Sequence, residues 1–296
     1  MKNNSLGDEI SKLRKELSMT QNQLCKDICT QPTISMIEKG TIIPSLEIIL
    51  KLSLRLKKPL NYFTNILLFN DYDYVNQFVN DIEELTLIQK HQSVYTIVKK
   101  ELLNKNHDEW FRIFLQWQLY LSSYRLNYLD IDTSLLKIKN LLNKSTTIIL
   151  QHNFLNIRIL NSIAFLYALK KDYTNSLIYF NKISEIPISE VSPRLNQHTY
   201  SLRVLYNKTK TLYDMGNYEL AIETCIEGID RSTTYENMSL IGNFYYYLGQ
   251  CYEKLNYSKD KITFVYQKAF FFFEVLNREL YLQIIKTEKA AYLKGH

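Results

Sequence analysis

The stretch LRKELSMTQNQLCKDICTQPTISMIEKGTIIPSLEIILKL, residues 13–52, reads as a run of short helices separated by well-marked turns. Just upstream, Leu6, Ile10, Leu13 and Leu17 share one face and predict a first helix over residues 6–17. Ser18 and Met19 break it. Thr20 is a good N-cap, and Gln23 stands where a capping box needs its partner, so a second helix is expected over Gln21–Ile28 with Leu24, Cys25 and Ile28 inward. After a turn at Cys29–Gln31, Pro32 suits the first position of a third helix, where its missing N–H costs nothing. Ile34 and Ile37 are the inward pair of that helix. Gly40 ends it, at a position that favours a left-handed residue. Ser45 caps a fourth helix with Leu46, Ile49, Leu52 and Leu56 inward, and Pro59 precedes a fifth from Leu60 to Leu67.

Two short helices with a tight turn, braced by flanking helices, make a helix-turn-helix unit. The segment resembles the phage-repressor-like (XRE) family through Thr20-Gln21, Leu24, Ile28, Ile34, Ile37, Glu38, Gly40 and Pro44-Ser45. One departure is a turn before the third helix that is one residue shorter than the common version. The resemblance implies that the third helix enters the major groove with Gln31, Pro32, Thr33, Ser35, Met36 and Lys39 outward. Gln31 and Thr33 can hydrogen-bond to bases, whereas Pro32 and Met36 can only touch apolar groups such as a thymine methyl. The family often carries Arg or Gln where Met36 stands, which reduces the direct readout expected here. Gln21, Lys39 and Ser45 are expected at phosphates, where contacts set register rather than sequence. Arg14 and Glu38 match a structural ion pair of the family, joining the first helix to the end of the third.

Composition agrees with a helical chain. Only 7 Gly and 5 Pro punctuate 296 residues, too few for the turns a strand-rich fold needs. The net charge is +6, and residues 1–68 hold ten Lys/Arg against six Asp/Glu, so the N-terminal quarter carries most of the excess. No signal peptide is legible in MKNNSLGDEI, and no run of about 18 apolar residues could cross a bilayer. A reduced, cytoplasmic chain without membrane partners is the expectation. Cys25 and Cys29 lie one helical turn apart, but no His or third Cys lies near them; they read as small core residues and no metal is expected. No cofactor is expected either.

From Asp71 onward amphipathic helices alternate. LYDMGNYELAIETCIEGI, residues 212–229, carries the Tyr213, Gly216, Tyr218, Ala221 run of a tetratricopeptide-type repeat. Weaker copies occur at 167–180 and 247–266. Ile131, Tyr173, Tyr218 and Tyr257 hold matching places at spacings of 42, 45 and 39 residues. The expected fold is therefore all-α: a five-helix helix-turn-helix domain at 1–68, a linker helix at 69–86, and a tetratricopeptide-like domain at 87–296. About five degenerate hairpins are expected, at 71–103, 107–143, 148–185, 195–231 and 237–275, wound into a right-handed superhelix with a capping helix at 278–293. A non-repeat helical bundle is the alternative. Asn161, Asn207 and Asn243 each sit in the first helix of a unit, 12, 11 and 14 residues before the marker tyrosine. A row of carboxamides on a concave face can hold a peptide backbone without reading its sequence.

The long strings FLQWQLYLSSY (114–124), LYNKTKTLYDMGNYE (205–219), SLIGNFYYYLGQCYEKLNY (239–257) and KAFFFFEVL (268–276) extend the likeness over the full length. The chain resembles the Gram-positive peptide-pheromone regulators, the Rgg, Rap, NprR, PlcR and PrgX group, and within it the PlcR-like quorum sensors. That resemblance implies a homodimer on a palindromic double-stranded DNA operator, and activation rather than repression. It also implies a secreted and re-imported signalling peptide of about five to eight residues in the concave groove. Asn161 and Asn207 fall where the family's paired asparagines hold the peptide backbone, Asn243 where PlcR-like chains have a contacting glutamine, and Tyr281 at a contacting tyrosine. Gln89 and Leu87 replace lysines, which removes positive charge from the groove entrance and implies a peptide with a different acidic or terminal group. No nucleotide loop, HExxH motif or nucleophilic triad is present, and His91, His107, His152 and His198 are scattered, so no enzyme is expected. A partner-sequestering repeat protein and a ligand-independent dimeric repressor are the rival readings.

Overall fold

A computed structural model describes residues 6–68, 72–143, 154–186 and 195–293, and every regular element among them is helical. The chain divides into two compact units, residues 1–128 and 129–296.

The first unit opens with α1 (Leu6–Glu16), α2 (Gln21–Cys25), α3 (Gln31–Glu38), α4 (Leu46–Arg55) and α5 (Leu60–Leu68). Their core is Leu6, Ile10, Leu13, Leu24, Ile34, Ile37, Ile49, Leu52, Leu56 and Phe63. The capping box at Thr20 and Gln23 is present, and Gly40 adopts the left-handed conformation at φ 68°. Three expectations shift. The second helix stops at Cys25 rather than Ile28, because Lys26 turns extended and Asp27 takes φ 60°. The Arg55 guanidinium gathers the carbonyls of Gln23, Leu24 and Lys26, supplying the partners this short helix lacks at its end. Thr30 caps the third helix, its hydroxyl accepting from the Thr33 N–H, so Gln31 is the first helical residue and Pro32 the second. Leu46, expected inward, is 67% exposed. The buried face of α4 centres on Ile49 and Leu52, continued by Leu56 at its end, whereas Leu46 falls in the i, i+4, i+8 row with Leu50 and Leu54 on the exposed side.

The same unit continues through α6 (Tyr72–Leu87), α7 (His91–Glu101) and α8 (Glu109–Arg125). Val75, Val79 and Ile82 of α6, Val94 and Val98 of α7, and Trp110, Phe111 and Phe114 of α8 are buried, with Phe78 edge-on to Phe111 at 5.3 Å between centroids.

The second unit begins with α9 (Ile131–Asn143), so the two helices of the hairpin expected at 107–143 belong to different units. Three hairpins follow: α10 (Leu155–Leu169) with α11 (Tyr173–Ser184), α12 (Leu195–Asp214) with α13 (Tyr218–Thr234), and α14 (Ile241–Lys254) with α15 (Lys259–Val275). Then come α16 (Glu279–Glu288) and the short α17 (Ala290–Leu293), which pack on α15 where the cap was expected. Residues 148–153 of the third expected hairpin and His152 lie outside the described residues. Ile131, Tyr173 and Tyr218 each open the second helix of a pair. Tyr257 does not: α15 starts two residues later, and Tyr257 instead stacks on Tyr252 at 4.4 Å.

Hairpins approach closely only where side chains are small. A Cβ on Gly228 of α13 would lie 2.5 Å from the buried Phe244 ring of α14, and one on Gly249 would lie 2.7 Å from the Tyr266 ring. Gly228→Ala should therefore destabilise the second unit by about 1–3 kcal/mol, through overpacking against a ring with no room to move. Chemical denaturation followed by far-UV circular dichroism checks this; an unchanged midpoint would mean that α13 and α14 are not held at this spacing.

Candidate functional site

In the first unit four polar side chains form a continuous relay. Arg14 holds Glu38 with both arms of its fork, Nε to Oε1 at 2.6 Å and Nη2 to Oε2 at 3.0 Å, and its Nη1 donates to the Met19 carbonyl at 2.7 Å. Gln21 Nε2 donates to Glu38 Oε2 at 2.8 Å, and Gln31 Nε2 donates to Gln21 Oε1 at 2.7 Å. One chain of bonds thus ties α1, α2 and α3 together. Burial works against the Glu38 charge, but the hydrogen bonds from Arg14 and Gln21 and the Arg14 charge outweigh it and hold the carboxyl below its ordinary range. The Arg14–Glu38 pairing expected from sequence is present. Gln21 and Gln31 are not independent polar groups: each orients the other, and Gln31 keeps its carbonyl and one N–H for a further partner.

Along the outer side of α3, Pro32, Met36 and Lys39 are exposed, while Gln31, Thr33 and Ser35 are half-buried. The Thr33 hydroxyl lies 2.8 Å from that of Thr30. Ser45 is exposed and its hydroxyl accepts from the Ile48 N–H, so it caps α4 and retains its own O–H to donate. The surface is therefore one basic tip, Lys39, an apolar patch from Pro32 and Met36, and a few adaptable hydroxyls and amides. Sequence reading missed Thr30, Arg55 and the Gln21–Gln31 bond. Thr30 could have been found as a hydroxyl two residues ahead of Pro32.

In the second unit Asn207 Nδ2 donates to Asn161 Oδ1 at 3.1 Å, across α12 and α10. Both side chains are half-buried. The bond leaves the Asn161 amide N–H groups and the Asn207 side-chain carbonyl with no other hydrogen bond among the described residues. Two donors beside one acceptor is the complement of a peptide unit. Asn243 does not continue this row. It is 5% exposed, and its side chain lies beside the Tyr206 phenol, where it favours the charged form. Tyr206 also packs edge-on against Tyr247 at 5.8 Å between centroids and lies near Tyr281, and burial pushes both the Tyr206 and Tyr247 phenols well above their ordinary range, so they stay protonated donors. Tyr281 is half-buried and stacks on Phe273 at 5.1 Å. The five expected peptide contacts thus fall into a facing pair, Asn161 and Asn207, a phenol-centred pair, Asn243 and Tyr281, and Gln89. Gln89 lies in the first unit, exposed, in the left-handed turn that closes α6 at φ 58°. Tyr206, the residue beside Asn207, joins the two pairs and was not singled out from sequence.

Neither asparagine of the facing pair lines either of two hollows of the second unit. One, of about 240 Å³, has Phe154, Phe180, Tyr200 and Lys208 in its lining; the other, of about 440 Å³, is lined by Gln267, Phe270, Phe271, Glu274, Lys286 and Leu293. Among the described residues no group of three or more His, Cys, Asp or Glu is placed to hold a metal ion, and no helix is long and apolar enough to cross a membrane.

Comparison with known proteins accounts for both units. The RNPP family C-terminal domain matches residues 79–294, and a helix-turn-helix family matches residues 10–63. The structure of Bacillus thuringiensis PlcR in complex with the peptide PapR7 and DNA is 30% identical at a TM-score of 0.86, covering 99% of this chain and 100% of that one. PlcR in its apo form is 29% identical at a TM-score of 0.68, covering 96% and 98%. ComR from S. thermophilus, in complex with DNA and its signalling peptide ComS, shares the fold at 15% identity and a TM-score of 0.62, covering 97% and 99%. No curated protein sequence matches the chain.

Proposed function

The chain belongs to the RNPP family, and from that membership we infer that it is a DNA-binding transcription regulator controlled by a short signalling peptide. The reading assigns DNA recognition to residues 1–68, a linker helix to 69–86, and peptide sensing and dimerisation to 87–296. A cytoplasmic homodimer binds a palindromic operator as an activator. Gln31, Thr33, Ser35, Met36 and Pro32 face bases, and Gln21, Lys39 and Ser45 face phosphates. Asn161 and Asn207 grip the peptide main chain, with Asn243, Tyr281 and Gln89 around it. The observation that carries the sensor half is the Asn207–Asn161 hydrogen bond, which presents a donor and an acceptor together at a half-buried position. In the solved PlcR complex of similar fold, peptide and DNA are bound together.

Selection from a random pool of duplex DNA by the immobilised full chain, with and without a pool of synthetic heptapeptides, tests the reading. Inverted repeats enriched in a peptide-dependent way are expected. Enrichment of sites without two-fold symmetry, or identical enrichment in both arms, would count against it. On a selected site the affinity should fall steeply with salt, because each neutralised phosphate releases counterion. Lys39→Ala should flatten that log–log slope by about one while leaving the preferred sequence unchanged. A changed preference would move Lys39 from phosphates to bases.

A further inference from the structure

The outer side of α4 carries an apolar ridge with no partner among the described residues. Leu46, Leu50 and Leu54 repeat every fourth residue and are 67%, 46% and 75% exposed; Ile43, in the loop before the helix, is 79% exposed. Residues at i, i+4 and i+8 form the kind of ridge that interdigitates with the same ridge of another helix. Beside it, on the flank away from the core, runs a charge pair of opposite sign: Glu47 and Lys51, joined at 2.7 Å within the helix.

We propose that this ridge is the contact between the DNA-binding heads of two copies of the chain, packed antiparallel about a two-fold axis near Leu50. The two-fold operation settles the chemistry. It places Leu50 against Leu50 of the second copy, and Leu46 against Leu54. It also keeps both charged flanks on the same side, so that Glu47 of one head lies near Lys51 of the other. A self-complementary patch is what an isologous contact requires. A parallel two-fold would carry the charged flanks to opposite sides of the contact, out of reach of each other, and lose this pairing.

The area sets the strength. Three leucines and an isoleucine offer a patch of a few hundred Å², well short of the roughly 1,200 Å² that a stable interface buries. The contact therefore forms only between heads already held at high local concentration. It rests on the dimeric reading given above and adds a regulatory consequence. Any peptide-driven change that presents or withdraws this ridge changes whether two heads grip adjacent half-sites as one body.

Site-specific cross-linking of the full chain tests the proposal, in a Cys29→Ser background that leaves three buried thiols, with random-sequence duplex DNA present and diamide as oxidant. Leu50→Cys should form a covalent dimer about tenfold faster than a Lys26→Cys control at an exposed site off the ridge, reflecting the local concentration across the axis. Leu46→Cys and Leu54→Cys chains should cross-link when mixed and only slowly when alone. Equal rates for the Leu50→Cys and Lys26→Cys chains would overturn the proposal. So would a Leu50→Cys dimer whose disulfide, mapped by mass spectrometry, joins the introduced thiol to a position outside the head. Sedimentation separates the two readings. A dimer without Leu50→Cys cross-linking overturns this contact and leaves the dimer standing, whereas a monomer overturns both.

Discussion

Arg14→Ala is expected to lower the stability of the DNA-binding domain by about 3–5 kcal/mol, the usual cost of removing one partner of a buried ion pair. Both side chains are well buried, at 12% and 7% exposure, so neither can fall back on water. What remains after the change is a Glu38 carboxylate with only the uncharged Gln21 and Ser11 beside it and no counter-charge, and a Met19 carbonyl without its donor. For a domain of this size each kcal/mol is worth about 4–8 °C, so the first thermal transition should move by more than about 10 °C. DNA affinity should fall in parallel, because Gln31 is positioned through Gln21 and Glu38. Arg14→Lys should recover only part of the loss, since an ammonium cannot make the two-armed contact. The acid limb gives a second readout. The Glu38 carboxyl is held below its ordinary range, so its contribution is complete above the unfolded carboxyl value of about 4.3 and is lost as pH falls through the lower folded value. That limb should be shallower in Arg14→Ala. An unchanged melt would show that the relay does not brace the domain.

How far the sequence could be read follows from which interactions are local. The helix-turn-helix was legible because its boundaries are set by neighbours in the chain: Thr20 with Gln23, Gly40 alone, Ser45 with the N–H three residues on. The hairpins were legible for a similar reason, since Asp172 and Asn217 cap the helices that Tyr173 and Tyr218 open. Errors arose where spacing alone leaves face or depth open. Leu46 is three residues from the buried Ile49 but four from the exposed Leu50, and it lines up with the outer row; Asn243 has the spacing of a groove residue and stands inside, 5% exposed beside the Tyr206 phenol. A periodic pattern gives the angle of a side chain around its helix, not what the next layer puts in front of it. The reach of Arg55 to the end of α2, from two helices further along the chain, has no local signature at all. The position of Gln89 was clear from sequence only as a substitution; that it closes a helix in a left-handed turn is a backbone fact.

Asn207→Ala should abolish the peptide response while leaving fold and dimer intact. The side chain is half-buried and bonded only to Asn161, so its loss opens no sealed cavity. Against a bound peptide the change is larger. It removes the side-chain acceptor and frees Asn161 to rotate, leaving main-chain groups of the ligand without partners at a cost of about 1–3 kcal/mol, or roughly five- to 150-fold in Kd. Because the two amides act as a unit, Asn161→Ala should weaken binding similarly, and the double variant should lose less than the sum of the two. Asn243→Ala separates this role from a structural one. It is 5% exposed against the Tyr206 phenol, so that variant should leave a buried gap and lower the melting temperature, which Asn207→Ala should not. Fluorescence anisotropy with a labelled peptide from the selection, beside thermal melts of all four variants, measures both axes. Wild-type affinity in Asn207→Ala would place the peptide elsewhere in the second unit. Equal loss of affinity and melting temperature in Asn207→Ala and Asn243→Ala would make the asparagine pair part of the packing rather than of the grip.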